Sequence, residues 1–317
     1  MEKIPRVSII TPSYNQAAYL EQTIQSVLGQ GYPDLEYIIV DGGSTDGSLE
    51  IIQKYASQLA WWVSEKDSGQ AEAVNKGFRR ATGDIVGWLN SDDLYLPGAI
   101  AGAVAALAAN PQVGLVFSDV ESLDGASNRI NVMRFGDWDL RDLMTFRIIS
   151  EPGVFMRRSI LVQTGLLDLS YHFLLDHKLW LSMGLLAPIQ YVPGVCWAAA
   201  RFHAAAKNVA QASAFGAEAY RIVEWMQAQP DFQPYLAGLH RRVLAGAHRL
   251  NAFYLLDGGK PGAALAAYWK GLLQYPPAVL SDWRRILYAL FSPLGLEGLR
   301  KLYLRRRARR FDDEVHS

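Results

Sequence analysis

Two adjacent carboxylates, Asp92 and Asp93, close the run Asp84-Ile-Val-Gly-Trp-Leu-Asn-Ser-Asp-Asp93, an apolar strand candidate that leads through Leu94-Tyr-Leu-Pro97 into a helix. Hard divalent cations take oxygen ligands, and Mg²⁺ is commonly held by one or two carboxylates together with phosphate oxygens. An acidic pair at a strand's end therefore suits a metal that bridges to a diphosphate. The same pair could instead cap the following helix. Asp41 holds the matching place after the apolar run Tyr37-Ile-Ile-Val40. There an acceptor-only carboxylate could select a ring N–H of a nucleotide base, or form an Asx turn. Asp176 lies among Leu175, Leu179 and Trp180. Apolar surroundings raise a carboxyl's pKa and make it a better proton acceptor, although a carboxylate at a helix start also complements the helix dipole. No G-x-G-x-x-G follows the first strand, where Thr11-Pro-Ser-Tyr-Asn15 stands, and no G-x-x-x-x-G-K-[ST] occurs anywhere. Without a glycine loop to cradle a pyrophosphate, a metal ion is the better means of neutralising one.

A sheet is needed to bring these carboxylates to one edge. Val7-Ser-Ile-Ile10, Tyr37–Val40 and Trp61-Trp-Val63 are short apolar runs suited to buried strands. Helical patterns separate them, with Leu20, Ile24, Val27 and Leu28 on one face of the first, Leu49, Ile52 and Tyr55 on the second, and Ala71, Val74 and Phe78 on the third. Strands alternating with helices give βαβ units and a mostly parallel sheet whose ligands sit at the strands' carboxyl ends, where Asp41 and Asp92 fall. After Gly114-Leu-Val-Phe-Ser-Asp119 the alternation becomes irregular. Glu151-Pro-Gly-Val-Phe155 reads as a loop into a strand, and Asp168 to Met183 as a loop into a helix. From about residue 210 the pattern is helical. Arg241 to Leu256 and Ala263 to Gln274 form one antiparallel pair around Gly258-Gly-Lys-Pro-Gly262, too little for a repeat array.

The chain has 317 residues, 50% of them hydrophobic, which fits one large domain and an appendage. Its net charge of zero conceals an asymmetry: residues 1–210 carry 16 Lys+Arg against 22 Asp+Glu, and residues 211–317 carry 15 against 9. The two parts are expected to meet different partners. A single cysteine, Cys196, excludes an internal disulfide or thiolate cluster and fits a reducing compartment. Met1-Glu-Lys-Ile-Pro-Arg6 runs into a strand pattern with no apolar signal core, so no secretory leader is expected. Leu179 to Ala200 is uncharged, but Gly184, Pro188, Gln190, Pro193 and Gly194 argue against a membrane span.

In order along the chain, Val7-Ser-Ile-Ile-Thr-Pro-Ser-Tyr-Asn15, Ile39-Val-Asp-Gly-Gly-Ser-Thr-Asp-Gly47, Asp67-Ser-Gly-Gln70 with Asn75-Lys-Gly77, Gly87-Trp-Leu-Asn-Ser-Asp-Asp93, Leu175-Asp-His-Lys-Leu-Trp-Leu181 and Arg201-Phe-His203 resemble the motifs of the family 2 glycosyltransferases. The resemblance implies the GT-A fold, an α/β architecture with a Rossmann-like, mostly parallel central sheet. It assigns residues 1–210 to the glycosyltransferase domain, with a nucleotide-sugar-binding half (1–120) and an acceptor half (121–210). Residues 211–317 become a helical C-terminal region with a basic tail. The implied reaction is an inverting, Mg²⁺- or Mn²⁺-dependent transfer from a nucleotide-diphosphate sugar, UDP-linked, to a hydroxyl acceptor.

Carried over by position, Asp41 matches the carboxylate that accepts from the base, typically the N3–H of uracil, and Thr11 and Tyr14 match residues lining base and ribose. Asp67, Gln70, Lys76, Asn90 and Ser91 fall in stretches that would position the donor, although Lys76 could equally be a solvated helix residue. Asp92 matches the metal-binding Asp of the D-x-D motif, with Asp93 its neighbour. Asn90 stands where the first Asp often does, keeping a carbonyl acceptor and losing the charge. His203 matches a histidine that completes the metal site in some relatives, or is structural. Asp176 matches the general base. Glu151-Pro-Gly153 and Arg157-Arg158 border the acceptor site, where the arginines could meet phosphate on a lipid carrier.

Trp283-Arg-Arg-Ile-Leu-Tyr-Ala-Leu-Phe291, Leu296 to Leu304 and Arg305-Arg-Arg-Ala-Arg-Arg310 interleave apolar and basic residues. Such a segment can lie on an anionic membrane, gaining about 1 kcal/mol per basic residue near the surface. The expectation is a cytoplasmic protein with peripheral contact at the inner face of the membrane through residues 283–310, a glycan or lipid-linked acceptor, and no nucleic acid. By analogy the setting is bacterial cell-surface polysaccharide synthesis. Two other readings compete. A sugar nucleotidyltransferase should carry a glycine-rich basic loop where Thr11–Asn15 stands. A catalytically silent binding protein would tolerate Asn90 but has no need for Asp176 and His203 to converge on the Asp92 site.

Overall fold

The structure is a computed structural model and describes residues 4–202 and 214–292. It divides into two compact units, one made of residues 1–123, 132–140 and 149–201, the other of 124–131, 141–148 and 202–317. To Phe202 the chain runs β1 (Val7–Ser13), α1 (Ala17–Leu28), β2 (Leu35–Asp41), α2 (Ser48–Tyr55), β3 (Trp61–Ser64), α3 (Gln70–Arg80), β4 (Ile85–Trp88), β5 (Leu94–Tyr95), α4 (Ala99–Ala109), β6 (Leu115–Asp124), β7 (Arg129–Met133), α5 (Leu140–Met144), β8 (Val154–Arg157), α6 (Arg158–Leu161), α7 (Leu175–Leu186) and β9 (Ile189–Phe202).

The sheet order β3-β2-β1-β4-β8-β6-β9-β5 has two characters. β3, β2, β1 and β4 are parallel, joined by the expected helical crossovers. β8 then enters antiparallel between β4 and β6, and β5 pairs antiparallel with β9. The parallel pairing sets the carboxyl ends level. Ser13 lies beside Asp41, and Asp41 beside Ser64.

Apolar residues on both faces of β1 explain its central place. Val7 and Ile9 join Leu20, Ile24 and Val27 of α1, Ile39 of β2 and Ile52 of α2 in one buried cluster. Burying each such aliphatic side chain stabilises by about 1.5–3 kcal/mol. On the other side α3 lies close against Ile10 of β1, because Gly77 has no Cβ to strike that side chain. Leu179 to Ala200 becomes the later part of α7 and most of β9, and among the described residues no helix is long and apolar enough to cross a membrane.

In the second unit the helices are α8 (Phe215–Ala228), α9 (Gln233–Asp257), α10 (Pro261–Gln274), α11 (Pro276–Leu280) and α12 (Trp283–Phe291). The expected helix pair is α9 and α10, α9 starting earlier because Pro234 is accommodated in its first turn. Gly259, at φ +73°, supplies the turn between them, and Pro261 opens α10. Ala252, Ala267, Tyr268 and Val279 form a core there. Arg285 of α12 lies over the Phe253 ring and pairs with Asp257 at 2.5 Å.

Candidate active site

The end of β2 is built around Asp41, which is fully buried. Its Oδ2 accepts from the Gly43 and Ser44 amides at 3.1 and 2.9 Å and from Ser64 Oγ at 2.7 Å, and its Oδ1 accepts from Ser44 Oγ. Asp41 thus makes the Asx turn that shapes the loop after β2. That loop is laced to the end of β1. Asn15, held at φ +51°, receives a bond from the Thr45 amide on its Oδ1, and its own amide donates to Ser44 Oγ. Asp46 accepts from the Ala17 amide and from Ser48. Burial pushes the Asp46 carboxyl up, and these bonds outweigh it and leave it below the ordinary aspartate value. Asp67 presses over the same loop, since a Cβ on Gly42 would come within 2.8 Å of its Oδ2. Tyr14 is 63% exposed at this edge, as a stacking residue must be. Thr11 is fully buried in β1 and its Oγ1 accepts from Tyr37 Oη at 3.1 Å, which is the packing role its position also allows.

Residues 90–93 follow β4. Asn90 Oδ1 accepts from Gln70 Nε2 at 2.7 Å and Trp88 Nε1 at 2.9 Å, and its Nδ2 donates to Glu151 Oε2 at 2.7 Å. Gln70 opens α3, whose first turn is fixed by Glu72 reaching back to the Ser68 amide. Ser91 is buried, and its carbonyl accepts from Thr23 of α1. Asp93 is also buried: its Oδ1 accepts from the Arg201 amide at 2.8 Å. Burial and then the neighbouring Asp92 charge push its carboxyl well above the ordinary aspartate range. Asp93 therefore faces the protein, whereas Asp92 is half-buried. Arg201 secures this segment a second time, Nε to the Asp92 carbonyl at 2.9 Å and Nη2 to Gln22 at 3.0 Å, with its guanidinium 4.6 Å from the centre of the Tyr19 ring.

Asp176 stands in the first turn of α7, half-buried. Asp176, Asp92 and Asp93 all act electrostatically on one buried residue. The link is Glu151, which begins the short 3-10 turn Glu151–Gly153 ahead of β8 and is only 7% exposed. Burial, followed by the charges of Asp93, Asp176 and Asp92, drives its carboxyl well above the ordinary glutamate value. Four carboxyl groups from three separate segments thus share one electrostatic neighbourhood. Lys76 is ion-paired with Glu65 at 2.6 Å. Arg157 corrects the suggestion of a phosphate contact, because its guanidinium bonds the carbonyls of Leu107, Asn110 and Val113 at and beyond the end of α4. His203 lies outside the described residues. Among the described residues no three His, Cys, Asp or Glu side chains are grouped to hold a metal ion.

Two residues take contacts that the sequence did not assign: Glu151, expected only at the border of the acceptor site, bonds Asn90, and Arg201, part of a matched motif, clamps the Asp92 segment. A signal existed for the first: a carboxylate directly ahead of an apolar strand, the mirror of Asp92 directly after one. For Arg201 the partners, Asp93 Oδ1, the Asp92 carbonyl, Gln22 and the Tyr19 ring, lie far away in sequence, which no motif records.

The family model for glycosyl transferase family 2 matches residues 8–162. An uncharacterized glycosyltransferase of Mycobacterium tuberculosis is 30% identical over 189 residues, covering 58% of this chain and 71% of that protein. An O-antigen biosynthesis protein of Myxococcus xanthus, RfbC, is 29% identical over 188 residues, 58% of this chain and 15% of that much longer protein. Two further relatives are covered over 40% and 37% of their length, so the chain spans less than half of several proteins it matches. Among solved structures, Staphylococcus aureus TarS 1–349 in complex with UDP-GlcNAc aligns with a TM-score of 0.58 at 15% identity, over 88% of this chain and 92% of that one. The mannosyltransferase PcManGT of Pyrobaculum calidifontis, in complex with GDP-Man and Mn²⁺, aligns with a TM-score of 0.59 at 24% identity, over 92% and 88%. At these identities the structures establish the fold, which is GT-A. Taken with the family model and the relative covered over 71% of its length, this means that the chain belongs to glycosyl transferase family 2.

Proposed function

We propose that this chain is a glycosyltransferase that moves a sugar with inversion from a nucleotide diphosphate, UDP-linked, to a hydroxyl acceptor in the assembly of a cell-surface polysaccharide. The observation that supports the reading is Glu151, which accepts from Asn90 of the segment after β4 at 2.7 Å and lies within electrostatic reach of both Asp92 and Asp176. In this reading the Asp176 carboxylate takes the proton of the acceptor hydroxyl as its oxygen attacks the sugar C1, opposite the departing diphosphate. The loop shaped by Asp41 receives the base. A carboxylate has about four acceptor positions. Three donors occupy Oδ2 and one occupies Oδ1, so Oδ1 is the oxygen left for a base N–H once the Ser44 side chain moves aside. Tyr14 offers an exposed ring to base or ribose, Asp67 borders the same loop, and Gln70 and Asn90, bonded to each other beside Asp92, would help to position the donor.

The donor set fits a metal shared with substrate. Asp92 is the described carboxylate that would hold it, with Asp93 turned inward and His203 outside the described residues. When bound, Mg²⁺ or Mn²⁺ supplies Lewis-acid stabilisation of the leaving diphosphate. The Mn²⁺ in the PcManGT complex, the UDP-GlcNAc in the TarS complex and the O-antigen role of RfbC support metal, donor and setting respectively. Contact with an anionic bilayer belongs to the same reading: Trp283, Leu287 and Leu290, at helical spacing, and Phe291 are exposed on α12 beside Arg284.

Thermal unfolding with UDP-, GDP- and dTDP-sugars, with and without Mn²⁺, tests the donor and metal assignments. A UDP-sugar should raise the midpoint only with the metal present, ligand at about 100 times its Kd adding about 2.7 kcal/mol. A response confined to GDP- or dTDP-sugars would reassign the donor, and an equal response in EDTA would remove the metal.

A further inference from the structure

Asn90 sits in a closed set of hydrogen bonds. Two N–H donors, Gln70 Nε2 and Trp88 Nε1, converge on its Oδ1, and its Nδ2 points at two carboxyl groups, Glu151 Oε2 at 2.7 Å and Asp93 Oδ2 at 3.5 Å. Only an amide head carries acceptor and donors side by side in this way. Turned over, it would set its NH₂ against two N–H groups and its oxygen against a carboxyl. A carboxylate at position 90 could still accept from Gln70 and Trp88, but its other oxygen would meet a second acid, Glu151, where the amide hydrogen now lies, and the two could be held there only by sharing one proton. Glu151 has nowhere to turn. It is 7% exposed, its Oε1 is buried with no hydrogen-bond partner, and the strand that follows it is fixed by pairing Phe155 with Gly87 and Met156 with Val86 of β4.

Building on the donor-site reading above, we propose that Glu151 is a positioning residue of the transfer reaction: it locks the Asn90 amide, and through it Gln70, so that positions 90 and 151 must jointly carry one amide and one acid. The departure from the D-x-D pattern at Asn90 is then compensated rather than a loss. The acidic group absent from position 90 stands one hydrogen bond away, supplied from the turn before β8. Exchanging the two residue types rebuilds the same bond with donor and acceptor reversed. The carboxylate introduced at 90 accepts from Gln70 and Trp88 as before, and the amide introduced at 151 donates to it.

The experiment is a double-mutant cycle on the full chain with Asn90→Asp, Glu151→Gln and the two combined. It reads kcat/KM for transfer from the nucleotide sugar the wild type uses, donor Kd by calorimetry and the unfolding midpoint. Asn90→Asp should weaken donor binding by roughly 30-fold, the scale of leaving a buried polar group unpaired. Glu151→Gln should cost less, and the combined variant should recover to within about 5-fold of wild type, a coupling expected only of residues in direct contact. Losses that multiply in the combined variant overturn the proposal. So does coupling in the unfolding midpoint without coupling in donor Kd, which would mark Glu151 as structural only. If Asn90→Asp does not fold, the combined variant decides: folding with recovered donor affinity supports the pair, and failure of either overturns it. A wild type that binds no nucleotide sugar defeats the proposed function instead, and the cycle in unfolding midpoints still tests the bond itself.

Discussion

Asp176 and Asp92 divide the proposed reaction between them, one working on the acceptor and the other on the donor, and that division can be separated by measurement. Asp176→Asn keeps size and polarity but cannot take a proton. It should lower kcat by about 10²–10⁴-fold, the usual worth of a general base, while donor Kd by calorimetry moves only a few-fold. A large loss of donor affinity would place Asp176 in the donor site instead. The apolar elements beside both carboxylates can be read in the sequence, whereas the roles proposed for them come from the family resemblance. The burial of Asp93 and Thr11 could not be read in that way. Whether a side chain at a strand's end faces solvent or protein depends on its partner, and for Asp93 that partner is the amide of Arg201, 108 positions later. Arg157 teaches the same lesson, since one member of a basic pair expected beside an acceptor site became a cap for α4 once the chain had folded. Asn90 was read as a weakened acid, and its meaning appeared only with Glu151 beside it.

The parallel part of the sheet is held at its far end by a second carboxylate network, away from the site. Glu36 of β2 accepts from Ser8 Oγ of the paired strand β1 and from the amide and hydroxyl of Thr82 after α3. Burial raises the Glu36 carboxyl, and the bonds from Ser8 and Thr82 together with the Arg6 charge reverse this, leaving it below the ordinary glutamate value. A depressed folded-state pKa gives stability that is fully present above the unfolded value, about 4.3, and is lost as pH falls through the folded value. Urea unfolding of Glu36→Gln should therefore show the variant weaker than wild type at neutral pH, the gap narrowing below about pH 4.3. Parallel curves across that range would sink the assignment. At this scale the four parallel strands and three crossover helices were visible as periodicity, because each repeats a local pattern. The antiparallel part was not, because β8 enters between β4 and β6 through pairings that its own residues do not announce.

Across the molecule, acidic surplus and basic surplus fall in different stretches of sequence, and the basic stretch carries the exposed face of α12. Full-length protein should sediment with vesicles containing anionic lipid, and binding should weaken as salt is raised. A variant with Trp283, Leu287 and Leu290 changed to serine should remain in the supernatant. Equal binding by that variant, or equal binding to neutral vesicles, would remove the bilayer from the proposal. The change from α/β to helical sequence near residue 210 was readable from periodicity. The assignment of residues 124–131 and 141–148 to the second unit was not, because those short pieces belong there only through the packing of the folded chain. The Arg201 clamp also has a consequence for synthesis. Its amide and guanidinium hold the segment that carries Asp92 and Asp93, yet it lies 108 residues beyond Asp93. At about 5–20 residues per second, the donor edge waits about 5–20 s on the ribosome for its tether, and a nascent chain arrested before Arg201 should hold the parallel strands without a finished site.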